Sequence, residues 1–267
     1  MVISRLPIPP LRPFVASLWA SEDHEPPLES ARELVVPTGS AHLAVRLDAP
    51  LRLFEGPSDA GGRIVGHAVV GGARHEAHHR ALCPSRSVGA QLGPGVAECL
   101  FGAKASELAG RHTALEDLWG RTALVLRERL LEAKTPHARL EVLEGALLRK
   151  LTHARPLQPL VGVALARLAR DPSTSIVSLA KDAGYSQRYV LARFREAVGL
   201  SPKRYARLLR LQNALPLLAS GTRAIDVALA CGYADESHLH RDLREVTGLA
   251  VREYRLASPR TPNHVPR

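Results

Sequence analysis

An internal repeat constrains this chain more than any other feature. The run Ala183, Gly184, Tyr185, Ser186 recurs as Cys231, Gly232, Tyr233, Ala234, 48 residues later. Residues Gly199 to Tyr205 recur as Gly248 to Tyr254, 49 residues later, and Phe194 and Leu243 keep the same 49-residue spacing between them. Two blocks that agree in register to one residue imply two copies of one supersecondary unit.

Each copy has the grammar of a helix-turn-helix. Ser175 stands where it can cap a short helix over residues 176–183. Gly184 follows, where a helix ends in a left-handed residue that glycine takes without steric cost. Ser186 is a second cap, opening a helix over 187–197 that turns Val190 and Phe194 inward; Ala180 is small enough for the two helices to cross closely, and Gly199 ends the unit. The second copy repeats this with Ala228, Gly232, Asp235, Leu239 and Leu243. Such a pair offers the outer face of its second helix to a major groove.

Charge follows the same division. The 267 residues carry a formal net charge of +10. Residues 1–150 hold 18 Lys/Arg against 17 Asp/Glu, whereas residues 151–267 hold 18 against 9. A basic module beside a near-neutral one fits a polyanion-binding domain with a separate partner domain, although an excess of Arg (31) over Lys (5) is also what a generally Arg-rich proteome would give. The boundary is placed near 154–159, where Pro156 and Pro159 stop a helix.

The repeat and its flanks resemble the AraC/XylS family of transcription regulators. The matching segments are residues 179–186, 194–202 and 225–241, inside a resemblance covering about residues 160–256. It implies two subdomains joined by one long helix, here Pro202 to Ala219, which set two recognition helices in successive major grooves on one side of a duplex. It places base-reading positions at Glu236, Ser237, His238 and Arg241 in the second recognition helix, and at Arg188, Leu191 and Ala192 in the first. Arg pairs bidentately with guanine and Glu accepts from cytosine, each good pair discriminating by roughly 1–3 kcal/mol. Ser186, Gln187, Arg193, Arg195, Lys203, Arg204, Arg207 and His240 are the candidates for phosphate contact. Three positions depart from the family: Ala192 stands where Gln or Arg is common, Val251 where Pro is usual, and Pro216 inside the connecting helix, where it kinks or splits it. Residues 35–39, 88–95 and 115–120 resemble a sensor-like domain found ahead of this module, which implies little about its signal.

The rest of the chain is read from local pattern. Short β-prone runs at Leu34–Val36, Ala41–Leu47, Leu51–Phe54, Ile64–Val70 and Ser87–Leu92, punctuated by Gly and Pro, predict a small barrel or sandwich. One helix is expected from Leu115 to Ala133, with Leu118, Ala123, Leu126, Leu130 and Leu131 on its apolar face, and another from Pro136, with Leu140, Leu143, Leu147, Leu148 and Leu151 inward. The fold class is therefore α+β: a small β-barrel or sandwich-like domain with helices over 1–155, an all-α double helix-turn-helix domain over 156–258, and a disordered tail over 259–267.

His75, His78, His79 and Cys83 form a candidate metal-sensing cluster, weighed against a polar hairpin with exposed histidines. No Gly-x-Ser-x-Gly elbow, phosphate loop or His-Glu-x-x-His occurs, so neither catalysis nor a cofactor is expected, and Trp19 and Trp119 are read as core. Three cysteines without a Cys-x-x-Cys pair, and no signal-peptide or membrane-length apolar run, predict a cytoplasmic protein. The expected function is sequence-specific regulation of transcription in a bacterium. Duplex DNA is the partner, with RNA polymerase, an unassigned small-molecule effector and a second copy of the chain as further partners. The alternative is a small-molecule- or metal-binding protein, or an enzyme, whose helical tail binds nucleic acid loosely.

Overall fold

The structure, a computed structural model, describes residues 2–22, 32–56, 58–82, 86–151, 157–259 and 261–267. Strands β1 (Val2–Arg5), β2 (Val15–Ser21), β3 (Arg32–Val35), β4 (His42–Arg46), β5 (Leu51–Phe54), β6 (Arg63–Gly66), β7 (Ala68–Gly71), β8 (His78–Ala81) and β9 (Ser87–Leu92) lead into helices α1 (Ala97–Phe101) and α2 (Ala105–Leu108). After β10 (His112–Ala114) come α3 (Leu115–Trp119), α4 (Arg121–Glu132) and α5 (Pro136–Leu151). One antiparallel sheet runs β1-β2-β9-β4-β7-β10. The second runs β11-β3-β8-β5-β6, where β11 (His264–Pro266) comes from the far end of the chain. Neither sheet closes into a barrel, so the N-terminal region is a β-rich sandwich with helices on one side.

Alternation along the strands decides what each face meets. In the first sheet Leu18, Ala20, Leu43, Val45, Val70, Val88 and Ala90 turn to the helices and build a core with Leu126, Leu130, Leu140, Leu143 and Leu147. Each such leucine stabilises the fold by about 1.5–3 kcal/mol through burial. In the second sheet Leu34 and Val265, with Val36 and Ala73 nearby, turn the opposite way and join the core of the C-terminal helices. The two apolar cores therefore lie outside the sandwich. The space between the sheets is polar, with His42 and His112 from the first sheet near His78 from the second.

Several expectations change. The run Ile64–Val70 is two strands in different sheets, broken where Gly66 takes φ 148°. The helix expected from Leu115 is split at Gly120 (φ 56°), a conformation that leaves α3 and α4 at an angle open to glycine. Leu131 and Leu148 are exposed rather than core. Trp119 is core, its indole N–H donating to the Leu100 carbonyl at 2.7 Å, whereas Trp19 is only half-buried. The disordered tail expected over 259–267 is corrected: β11 pairs with β3, and Val265 is fully buried.

The C-terminal region is all helical up to β11. It comprises α6 (Pro159–Arg170), α7 (Ile176–Asp182), α8 (Gln187–Val198), α9 (Pro202–Ala219), α10 (Ala224–Ala230), α11 (Glu236–Thr247) and α12 (Val251–Leu256). The expected boundary near 154–159 falls partly outside the described residues, between α5 and α6. Pro216 does not split α9. It sits in the last turn, where losing one backbone bond leaves few others to disturb, and its own carbonyl accepts from Ser220 N at 3.0 Å. Among the described residues no helix is long and apolar enough to cross a membrane.

Candidate nucleic-acid interface

The two repeats fold as two helix-turn-helix units. In the first, the Ser175 hydroxyl accepts from Ser178 N, Gly184 turns the chain at φ 72°, and the Ser186 hydroxyl accepts from Tyr189 N at 3.2 Å to open α8. In the second, Gly232 turns at φ 75° and the Asp235 carboxylate accepts from His238 N at 2.6 Å to open α11. Each cap satisfies a helix N–H that would otherwise lack a partner. Leu179, Ala180, Val190 and Phe194 of the first unit, and Val227, Ala228, Leu239 and Leu243 of the second, are buried against α9 and its neighbours. The opposite faces of α8 and α11 are thereby left to solvent.

Residues 179–257 match a family described as a helix-turn-helix domain. The C-terminal region is similar over this stretch to the helix-turn-helix part of AraC-like regulators. A putative AraC-like transcription regulator of Streptomyces lividans is 34% identical over 100 residues, covering 36% of this chain and 33% of the relative. An uncharacterized HTH-type transcriptional regulator of Bacillus subtilis, YbfI, is 31% identical over 67 residues, covering 25% of this chain and 24% of the relative. The chain thus matches a third or less of the length of these curated relatives. A probable AraC family regulator of Rhodopseudomonas palustris is 26% identical, covering 38% of this chain and 98% of that one at a TM-score of 0.33. ToxT of Vibrio cholerae covers 96% of this chain and 98% of its own at 9% identity and a TM-score of 0.44. Residues 4–114 match a domain described only as being of unknown function, DUF6597.

Within the helix-turn-helix region the outer face of α8 carries Gln187, Arg188, Leu191, Ala192 and Arg195, all exposed. The outer face of α11 carries Glu236, Ser237, His240 and Arg241. Lys203 and Arg204 are exposed at the start of α9. Arg188, Arg195, Lys203, Arg204 and Arg241 form no ion pair with any described residue, so their charge is available. His240 Nε2 lies 3.3 Å from Glu236 Oε1, one helical turn away, which restrains both side chains on the surface.

Three expected DNA contacts are differently employed. Arg207 bridges α9 to α11, with Nε 2.9 Å from Asp242 Oδ1 and a second ion pair to Glu245. Asp242 is buried, so Arg207 is its counter-charge rather than a free phosphate arm. His238 is half-buried and turned back: its Nδ1 accepts from Ala234 N at 3.4 Å, and its ring meets the edge of Tyr233 with centroids 5.1 Å apart. Arg193 pairs with Glu196 at 2.9 Å and lies over Tyr189. Ser186 is engaged as cap acceptor, leaving its hydroxyl proton and one lone pair for an outside partner.

Two features escape the pattern reading. Tyr185 and Tyr189 stack in the open with ring centroids 5.0 Å apart, their four-residue spacing being the only sign of it in the sequence. Arg244 extends the exposed line from Ser237 through Arg241, three residues further along α11.

The N-terminal region touches both recognition helices. Helix α2 packs on α8, and a Cβ at Gly199 would lie 2.9 Å from the Ala105 carbonyl oxygen. Lys104 Nζ lies 3.3 Å from Glu196 Oε1. Ala77 N donates to Val246 O of α11 at 2.8 Å. Gln212 of the connecting helix donates to the Pro37 carbonyl at 2.9 Å.

The candidate metal cluster does not converge. His78 and His79 are neighbours on β8 and so face opposite ways, His75 lies beside Glu76, and Cys83 is outside the described residues. Among the described residues no group of three or more ligating side chains is arranged to hold a metal ion.

Proposed function

We propose that this protein is a sequence-specific, DNA-binding transcription regulator. The observation that carries the reading is the duplication itself: two capped helix-turn-helix units, each leaving arginine on the outer face of its second helix. Arg188, Leu191 and Ala192 on α8, and Glu236, Ser237 and Arg241 on α11, are the base-reading groups in successive major grooves. Gln187, Arg195, Lys203, Arg204 and His240 meet phosphates, with the Ser186 hydroxyl. The contacts from α2, Ala77 and Pro37 let the N-terminal region bias the geometry of both helices, so an effector held there shifts the population of DNA-competent forms. RNA polymerase and a second copy of the chain are the further partners of such a regulator.

Selection of bound duplexes from a random pool, using the full chain, tests the reading. A regulator prefers its site by about 10³-fold or more over random duplex. Binding with steep salt dependence and no preferred sequence would overturn it in favour of a loose polyanion binder. Lys203→Ala is expected to weaken all sequences alike and to lower the salt slope by about 1.

A further inference from the structure

The layer between the two sheets is unusual chemistry for a sandwich interior. Arg74 is half-buried, and its Nη2 lies 3.0 Å from His112 Nδ1 and donates to the Gly110 carbonyl at 3.1 Å. No described carboxylate pairs with Arg74. Arg80 nearby shares the buried acid Glu33 with His264. Burial opposes ionisation of Glu33, yet the His264 hydrogen bond and the Arg80 charge hold its carboxyl down to about 2. The His112 and His78 rings lie 4.6 Å apart, and the His42 ring lies 5.9 Å from that of His112. Burial, then the charges of the nearby arginines, push His42 down to about 4 and His112 to about 2, so both are neutral.

Three buried nitrogens here have no hydrogen-bond partner: Arg74 Nε, His112 Nε2 and His78 Nδ1. With Nδ1 accepting from Arg74, His112 carries its proton on Nε2, where it is an unused donor. Leaving such groups unpaired in the interior is unfavourable. The cluster therefore holds donors without acceptors and a guanidinium without a counter-ion.

We propose that this inter-sheet cluster is a binding site for a small organic anion, whose carboxylate is taken by Arg74 and His112, with His78 and His42 lining the site. The carboxylate supplies both missing elements: acceptor lone pairs for the orphaned N–H groups and a negative charge opposite Arg74. The site is joined to the DNA-binding helices by short paths of backbone, hydrogen bonds and packing. Ala77, next to His78, holds Val246 at the end of α11, and Ala73, next to Arg74, accepts from Gly110 N beside α2, which packs on α8. Occupancy would thus be felt at both recognition helices. This coupling rests on the regulator reading above; the binding site does not.

Calorimetric titration of the DNA-free full chain with acetate, succinate, benzoate and inorganic phosphate tests the site. At least one carboxylate should bind saturably with one-to-one stoichiometry, and Arg74→Gln should weaken it about ten- to a hundred-fold, the range expected for a charge-assisted hydrogen bond. Because that variant can lose stability, imidazole NMR of the unaltered chain gives a second measurement: the His78 and His112 signals should move with the same saturation curve. Absence of saturable binding by every probe, saturation by phosphate alone, binding unchanged in folded Arg74→Gln, or saturable Zn²⁺ binding in place of carboxylate would each overturn the proposal. Site preference of the ligand-free chain on DNA is measured separately, so failure of the regulator reading is distinguishable from failure of the site.

Discussion

The two helix-turn-helix units share one plan and differ in what surrounds it. In the first, α8 opens on a neutral serine cap, its outer face is Arg188 with the apolar Leu191 and Ala192, and its far end is packed against α2. In the second, α11 opens on an acidic cap, its outer face is polar throughout, and the N-terminal region reaches it by the Ala77–Val246 hydrogen bond named above. The equivalent positions Arg193 and Asp242 show the same contrast. Arg193 lies over Tyr189 at the surface, while Asp242 is buried beneath Arg207 and Arg210. The first unit adds the docking of α2 to its core, and the second adds a buried charge network. Under the proposed function, the first unit is the one suited to orient the protein on DNA and the second the one suited to discriminate bases.

The largest test of this contrast concerns the cores. Phe194→Ala is expected to cost about 3–5 kcal/mol and Leu243→Ala about 2–5 kcal/mol in urea unfolding, both side chains being fully buried. A smaller loss at Phe194 would contradict the first unit as the packed one. Next come the bases. Arg188→Ala should erase preference in its half-site, where only Leu191 and Ala192 remain, whereas Arg241→Ala should relax one position by about 1–3 kcal/mol and leave the contribution of Glu236 and Ser237. Equal behaviour of the two variants on a randomised site library would remove the distinction.

Glycine substitutions isolate the docking of α2. Gly199 and Gly248 end the two recognition helices at φ 85° and 73°, so alanine costs each about 1–2 kcal/mol of backbone strain. Only Gly199 also faces a backbone carbonyl, that of Ala105, while nothing lies within 4 Å at Gly248. Gly199→Ala should therefore be the more damaging, and equal losses would show that α2 yields freely. The caps are expected to give the smallest effect. Ser186→Ala and Asp235→Ala should each cost about 1 kcal/mol, with Asp235 the larger by a few tenths because its charge also meets the helix dipole. Thermal melts of the two variants compare them.

The helical half was legible because its signals are local. Ser186, Gly184 and Phe194 lie within one turn or two of the structure they specify, and the second copy checks the first. Pro202 and Ala219 bound α9 as expected for the same reason. What escaped was pairing across distance. Nothing near Arg207 announces Asp242, 35 residues on, so a structural counter-charge reads as a free phosphate arm. Strand β8 is His-His-Arg-Ala, too polar to look like a strand, and it forms because its polar side faces another polar layer. Gly66 breaks β6 from β7, yet one glycine inside an apolar run does not by itself announce two strands.

Strand β11 has a mechanical consequence. A domain joined to its neighbour by one linker can swing and twist about that tether. Here the helical module leaves the sandwich after α5 and is stitched back into it at Val265, so chain and hydrogen bonds form a closed circuit. Rotation of the module is then opposed at both anchors, and a shift in β3 or β8 is delivered as torque rather than lost as slack.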